Sequence, residues 1–467
     1  MKSALKTVLS LFVLFVMLCS LLALNAQDAK QNPAKSGAPK SESKGSKWGD
    51  APSAEFAPQR VILGWTGDPA HTQAVTWRTA KLAETPQVQF APSSANPEFV
   101  AGAITAQAKS ASLDIGNGQT VATYRANLQG LKPDTRYLYR VGDGKNWGEW
   151  NGFHTASDQP KKFRFLYVGD AQNDIKSRWS RLIRAAYTKA PKAAFIIHAG
   201  DLVASGYRDD LWGEWYDSMG FIAATIPSLP VPGNHETEKP AGAPKSLALP
   251  PIWGQQFTYP LDGPSVPGGE SYYLDYQGAR FISLNVNMME NEKDFEAVRP
   301  TVEKQVAWLE ETLKDNPNRW TVVFQHQGMY SMAHGRNYVK MREMLLPLYD
   351  KYGVDLVLQG HDHLYARSKK LAGGKAVAAD ASGTVYMISV SGPKMYEVDQ
   401  TFEPLMAKVI TNTQMFQTVD VDPEKMVLHA YSSEGEELDG FQLQKKDGHS
   451  VYSELTKPAV AVAAAGR

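Results

Sequence analysis

Between positions 58 and 157 the apolar residues come in short runs: Val61-Ile62-Leu63, Ala74-Val75-Thr76-Trp77, Val88-Gln89-Phe90, then 122–126 and 137–141. Several runs alternate with polar positions and all are interrupted by Gly, Pro, Asn or Asp, the pattern of an antiparallel all-β sandwich. After Lys162 the pattern changes. Strand signals at 163–168, 194–198, 280–286, 321–324, 355–358 and 385–390 alternate with helical stripes such as Trp179, Leu182, Ile183, Ala186 and Tyr187, or Val302, Val306, Leu309 and Leu313. That alternation predicts an α/β domain built on a buried sheet or pair of sheets.

The two ends read differently. Lys2 and Lys6 precede an apolar stretch at 8–24, broken only by Ser10, Cys19 and Ser20 and followed by Asn25-Ala26-Gln27. This is the layout of a signal peptide at 1–26 cut after Ala26, and the stretch is marginal for the ~20 residues of a spanning helix, retention as an anchor being the alternative. Residues 27–53 are Lys, Ser, Gly, Ala, Pro and Gln with almost no large apolar residue, which predicts a disordered linker. The folded parts are then a β-domain at 54–158 and an α/β domain at 159–446, with 447–467 read as a C-terminal tail, small and apolar from about Leu455. A secreted or periplasmic protein is expected, with no stable membrane span after cleavage.

Composition narrows the chemistry. Lys+Arg and Asp+Glu tie at 49 each, so no global basic field argues for a nucleic-acid partner. Cys19 is the one cysteine of the chain, which excludes a disulfide framework and a zinc site built from several thiolates. Any metal must be held by nitrogen and oxygen. The predicted strands end in Gly169-Asp170, Gly200-Asp201, Gly233-Asn234-His235-Glu236, Gln325-His326 and Gly360-His361-Asp362-His363. Ligands in open α/β sheets sit at the carboxyl ends of strands, so these turns should converge. Asp170, Asp201, Asn234, His326, His361 and His363 form a mixed shell suited to two divalent ions, and the glycines are expected to supply the sharp turns.

Two resemblances follow from these motifs. The stretch Leu131-Lys132-Pro133-Asp134-Thr135-Arg136-Tyr137 resembles the entry to the sixth strand of a fibronectin type III domain, where a Tyr hydroxyl ties back to nearby backbone. The ordered series of strand-end residues resembles the calcineurin-like metallophosphoesterases. The fibronectin-like front domain, His361-Asp362-His363-Leu364-Tyr365-Ala366-Arg367 and Gln305-Val306-Ala307-Trp308-Leu309 narrow the resemblance to purple acid phosphatases, over roughly 58–444. It implies two packed mixed sheets flanked by helices. It also implies one metal held by Asp170, Asp201 and His363, and a second by Asp201, Asn234, His326 and His361, with Asp201 bridging. A bridging hydroxide would attack phosphorus, and His235 would serve the leaving oxygen. His334, in the loop after His326, is the second catalytic candidate.

The chain departs from that pattern at two places. Purple acid phosphatases place a colour-giving Tyr three residues after the second Asp, where this chain has Ala204, with Tyr207 three further on. The first motif ends in Gln172, a further candidate ligand, in place of the family's Gly. A colourless enzyme is therefore expected, using divalent Fe, Mn, Zn or Mg on a small phosphomonoester. A phosphodiesterase or nucleotide hydrolase with the same centre is the alternative, and a non-catalytic metal-stabilised binding module the second. Loops at 238–254 and 286–300 would form the substrate walls. The sequence leaves the oligomeric state open. His198, Trp212, Trp215 and Tyr216 read as packing residues, and Asp362 as support for its two neighbours.

Overall fold

A computed structural model describes residues 53–237, 248–264, 271–290 and 295–455. The signal and linker segments therefore lie almost wholly outside the described residues, as do 238–247 and 291–294 of the expected walls. The front domain is a sandwich of two four-stranded antiparallel sheets. One runs Gln59–Gly64, Gln73–Thr79, Gln119–Leu128, Lys109–Gly116, and the other Ile104–Gln107, Gln87–Pro92, Arg136–Gly142, Asn151–His154. Alternate residues from both sheets, among them Val75, Trp77, Val88, Tyr124, Tyr139 and Phe153, fill its core. The Tyr137 hydroxyl accepts from the Lys132 main-chain N–H at 2.9 Å, the tie that the resemblance implied.

The second domain is two seven-stranded mixed sheets face to face. In the first, the parallel strands Ser228–Val231, Ile196–Ala199 and Phe163–Val168 continue into antiparallel Met415–Val421, Lys425–Ser432, Glu437–Lys446 and His449–Glu454. The second runs Tyr272–Tyr276, Ala279–Ser283, Trp320–Phe324, Leu356–Gln359, Val385–Ile388, Tyr365–Ser368, Met406–Ile410, with Ala279–Ser283 through Val385–Ile388 parallel. Its strands read as unbroken apolar runs because both faces are buried. Phe281, Val322, Phe324, Leu356 and Leu358 face the other sheet, and Ile282, Val323 and Val357 face the helices Phe295–Lys314 and Val339–Tyr352. Phe165 and Phe195 meet Phe281 across the sheets at 5.3 and 5.0 Å between ring centres.

The tail reading at 447 is corrected here. His449–Glu454 pairs with Glu437–Lys446 as the last strand of the first sheet, and Glu454 joins Asp439 on the buried Arg367 guanidinium. Mixed polar strands of this kind carry little apolar signal, which is why the sequence pattern stops short of them. The sandwich is fixed to the second domain through Tyr139, whose hydroxyl donates to Ala224 O at 2.7 Å, and through Arg60 and Arg78, which share Asp209.

Candidate metal centre

All six expected ligands meet at the carboxyl ends of the parallel strands. Asp170, Asp201 and Asn234 follow strands of the first sheet, and His326, His361 and His363 follow strands of the second. Ligand atoms of Asp201, His326 and His361 lie within 4.8 Å of one another, as do those of Asp170, Asp201 and His363. Asp201 belongs to both groups.

The glycines act differently from the sequence expectation. Four of the expected ligands themselves take left-handed backbone, Asp170 at φ 50°, Asp201 at 52°, His361 at 75° and His363 at 50°. Each costs about 1–2 kcal/mol for an L-residue, a strain that the surrounding hydrogen bonds must hold. Gly233 instead permits close approach, since a Cβ there would stand 2.1 Å from Asp201 Oδ1. Gly200, at φ 83°, fits the expected turn.

Each imidazole has one nitrogen fixed by an outer partner. His326 Nδ1 donates to Ala199 O at 2.7 Å, His363 Nδ1 donates to Lys394 O at 3.1 Å, and His361 Nε2 meets the Tyr338 hydroxyl at 2.8 Å. The other nitrogen of each is thereby aimed inward, the arrangement of metal-binding histidines. Around His326 Nε2 stand Asn234 Oδ1 at 3.2 Å, Asp201 Oδ2 at 3.2 Å and His361 Nδ1 at 3.0 Å. One N–H cannot serve three acceptors, whereas a cation can. On the other side, Gln172 Nε2 donates to Asp201 Oδ2 at 2.8 Å and lies 3.1 Å from His363 Nε2. Asp170 Oδ1 and Gln172 Oε1 are buried with no hydrogen-bond partner among the described residues. A donor set of carboxylate, amide and imidazole with two orphaned oxygens fits divalent metal.

Protonation supports that fit. Burial lowers His363 to about 3 and holds His361 well below its usual range, so both stay neutral. Burial also opposes charge on His326, but Asp201 and Asp170 overcome it and raise His326 to about 10. Burial and the Asp201 charge push Asp170 well above the usual carboxylate range, while His326 holds Asp201 below it.

His235 lies beside the ligands. Its main-chain N–H donates to Asp201 Oδ1 at 3.0 Å, and its Nδ1 donates to Ala204 O at 2.9 Å. His334 does not join it: its side chain is 91 % exposed and lies 3.3 Å from Asp399. The residues of its loop that do reach the ligands are Arg336 and Tyr338. Tyr207 donates to Ala248 O at 3.1 Å. Asp362 is buried and accepts from Ser331 Oγ and Met332 N at 2.9 and 2.6 Å, while Trp212 and Trp215 are core residues. Sequence reasoning passed over Glu236, whose buried carboxylate accepts from the N–H groups of Asp201, Leu202, Val203 and Gly233 at 2.7–3.2 Å. Its place in the Asn234-His235-Glu236 run was the available signal.

Residues 163–365 match the calcineurin-like phosphoesterase model, and residues 58–155 match the purple acid phosphatase N-terminal domain. The chain joins a purple acid phosphatase N-terminal domain to a calcineurin-like phosphoesterase domain. An uncharacterised protein of Mycobacterium tuberculosis is 26 % identical to this chain over 64 % of the chain and 60 % of its own length. Acid phosphatase type 7 of Homo sapiens is 28 % identical over 68 % of this chain and 72 % of its own. The chain thus spans about 60 % of the length of the mycobacterial relative. The structure of a purple acid phosphatase from yellow lupin (Lupinus luteus) seeds superposes with a TM-score of 0.68 at 18 % identity, covering 84 % of this chain and 75 % of that one, a likeness of fold.

Proposed function

We propose that this protein is a secreted or periplasmic dinuclear-metal phosphatase that hydrolyses small phosphomonoesters. The observation that carries the reading is Asp201, shared between two groups, one adding His326 and His361 and the other Asp170 and His363. Asp170, Asp201 and His363 would hold one ion, and Asp201, Asn234, His326 and His361 the other. When bound, two divalent ions supply Lewis acidity toward the phosphoryl group and acidify water for in-line attack. The chain's own residues do the rest. The carbonyl of Ala204 orients the His235 ring through Nδ1, so that its other nitrogen would deliver a proton to the departing oxygen. Glu236 holds the Asp201 and Gly233 turns together from beneath, which keeps Asp201 at the junction of the two groups.

Ala204 offers no phenol to a metal, which supports a colourless enzyme using Fe(II), Mn, Zn or Mg. Gln172 adds a neutral ligand to the first position once its amide turns over. Oε1 would then stand near Asp201 Oδ2 and His363 Nε2, where Nε2 now stands. The test is turnover of an aryl phosphomonoester and an aryl phosphodiester after reconstitution with each metal. Monoester turnover without visible colour is expected. Diester preference would move the substrate class to phosphodiesters or nucleotides, and no turnover by metal-loaded protein would leave a binding module.

A further inference from the structure

The loop after His326 brings a cation to the ligands, and it is anchored there by the residue between two of them. Asp362 is fully buried and accepts from Arg336 Nη1 at 3.1 Å as well as from Ser331 and Met332. Arg336 Nη1 also donates to the main-chain carbonyl of the ligand His361. The guanidinium lies 5.1 Å from the centre of the Tyr396 ring, and that ring meets His363 edge-on at 4.7 Å. Lys394, whose carbonyl fixes His363, places its ammonium 5.0 Å from the same ring. Arg336 therefore sits one carbonyl from His361 and one ring from His363. Its side chain retains 22 % exposure, and its Nε and Nη2 donors have no acceptor among the described residues.

A guanidinium committed at one edge and open at the other is a ready fork for oxyanions. We propose that Arg336 binds a non-bridging oxygen of the substrate's phosphoryl group and, with Lys394 against the same Tyr396 ring, makes the site select phosphomonoesters over diesters. A monoester carries up to two negative charges near neutral pH, its second pKa being ~6, whereas a diester carries one. A fixed cation rewards the extra charge. The inference rests on the phosphatase reading above, and it gives that reading a specificity residue outside the ligand set.

The experiment compares the metal-loaded wild type with Arg336→Met and Arg336→Lys. It reads metal content, kcat/KM for an aryl monoester and an aryl diester, and calorimetric binding of inorganic phosphate. Loss of a charge-assisted contact corresponds to about ten- to a hundredfold. Arg336→Met should lose that much in monoester kcat/KM and in phosphate affinity, with the diester value falling less than about threefold and metal content unchanged. Arg336→Lys should fall between, and it carries the test if Arg336→Met does not fold. Equal losses on both esters, or unchanged phosphate affinity, would overturn the proposal and leave Arg336 as a tie for its loop. A metal-loaded wild type that turns over neither ester would instead overturn the phosphatase reading, while the phosphate-binding arm still reads Arg336 alone.

Discussion

The two halves of the centre solve the same electrostatic problem in different ways. In the half made by Asn234, His326 and His361, a proton on His326 Nε2 stands where a cation would, facing an amide oxygen, a carboxylate and an imidazole at 3.0–3.2 Å. In the half made by Asp170 and His363, the Gln172 amide occupies the corresponding place, and two buried oxygens are left without partners. One stand-in can be titrated away; the other has to rotate. The difference teaches that the half made by Asp170 and His363 owes its shape to Gln172, so its affinity is the more sensitive to that residue. Asp201 is the point where both halves meet.

Removing that meeting point should have the largest effect. Asp201→Ala takes a ligand from each half and should lower turnover by more than about a thousandfold, with loss of both ions by elemental analysis. Near-wild-type turnover would break the comparison at its root. His235→Ala should separate chemistry from binding, because the contact to Asp201 runs through the main-chain N–H, which alanine keeps. Turnover should fall about a hundredfold or more with metal content intact.

The pH dependence of loading follows from the raised His326 pKa. With His326 raised to about 10, the metal-free protein holds that proton throughout the neutral range. An ion must expel it, so apparent affinity should rise with pH by about tenfold per unit for each proton displaced and fall as pH drops. Asp170, raised by burial and by Asp201, adds to the release in the other half. Calorimetry in buffers of different ionisation heat should count at least one proton released per chain. The smallest effects distinguish the halves directly. Gln172→Ala should weaken one ion, and Tyr338→Phe the other, each by about tenfold, with the partner ion little changed. Equal weakening of both ions by either variant would blur the halves into one site.

Much of this was legible in the sequence because it rests on local rules. A candidate ligand at the end of an apolar strand is visible at Asp170, Asp201, Asn234, His326 and His361, and the sandwich announces itself through period-two runs. The contacts that tune the centre come from distant loops. Tyr338 meets His361 across 23 positions, and the Lys394 carbonyl meets His363 across 31, separations that no local pattern encodes. His334 lies in the loop whose Arg336 and Tyr338 turn inward, while its own side chain turns toward Asp399 and solvent. Of the strands after 405, Glu437–Lys446 and His449–Glu454 were missed because half or more of their residues are polar and part-exposed, whereas Met415–Val421 is buried almost throughout but its apolar run is broken by Gln417, Thr418 and Asp420.

The central claim is a pair of ions sharing Asp201, and anomalous diffraction from crystals of the manganese-loaded protein tests it most directly. The account predicts two peaks about 3.5–4 Å apart. One should lie against Asp170, His363 and Gln172, the other against Asn234, His326 and His361, with Asp201 between them. A single peak, or two peaks with Asp201 touching only one, would contradict it.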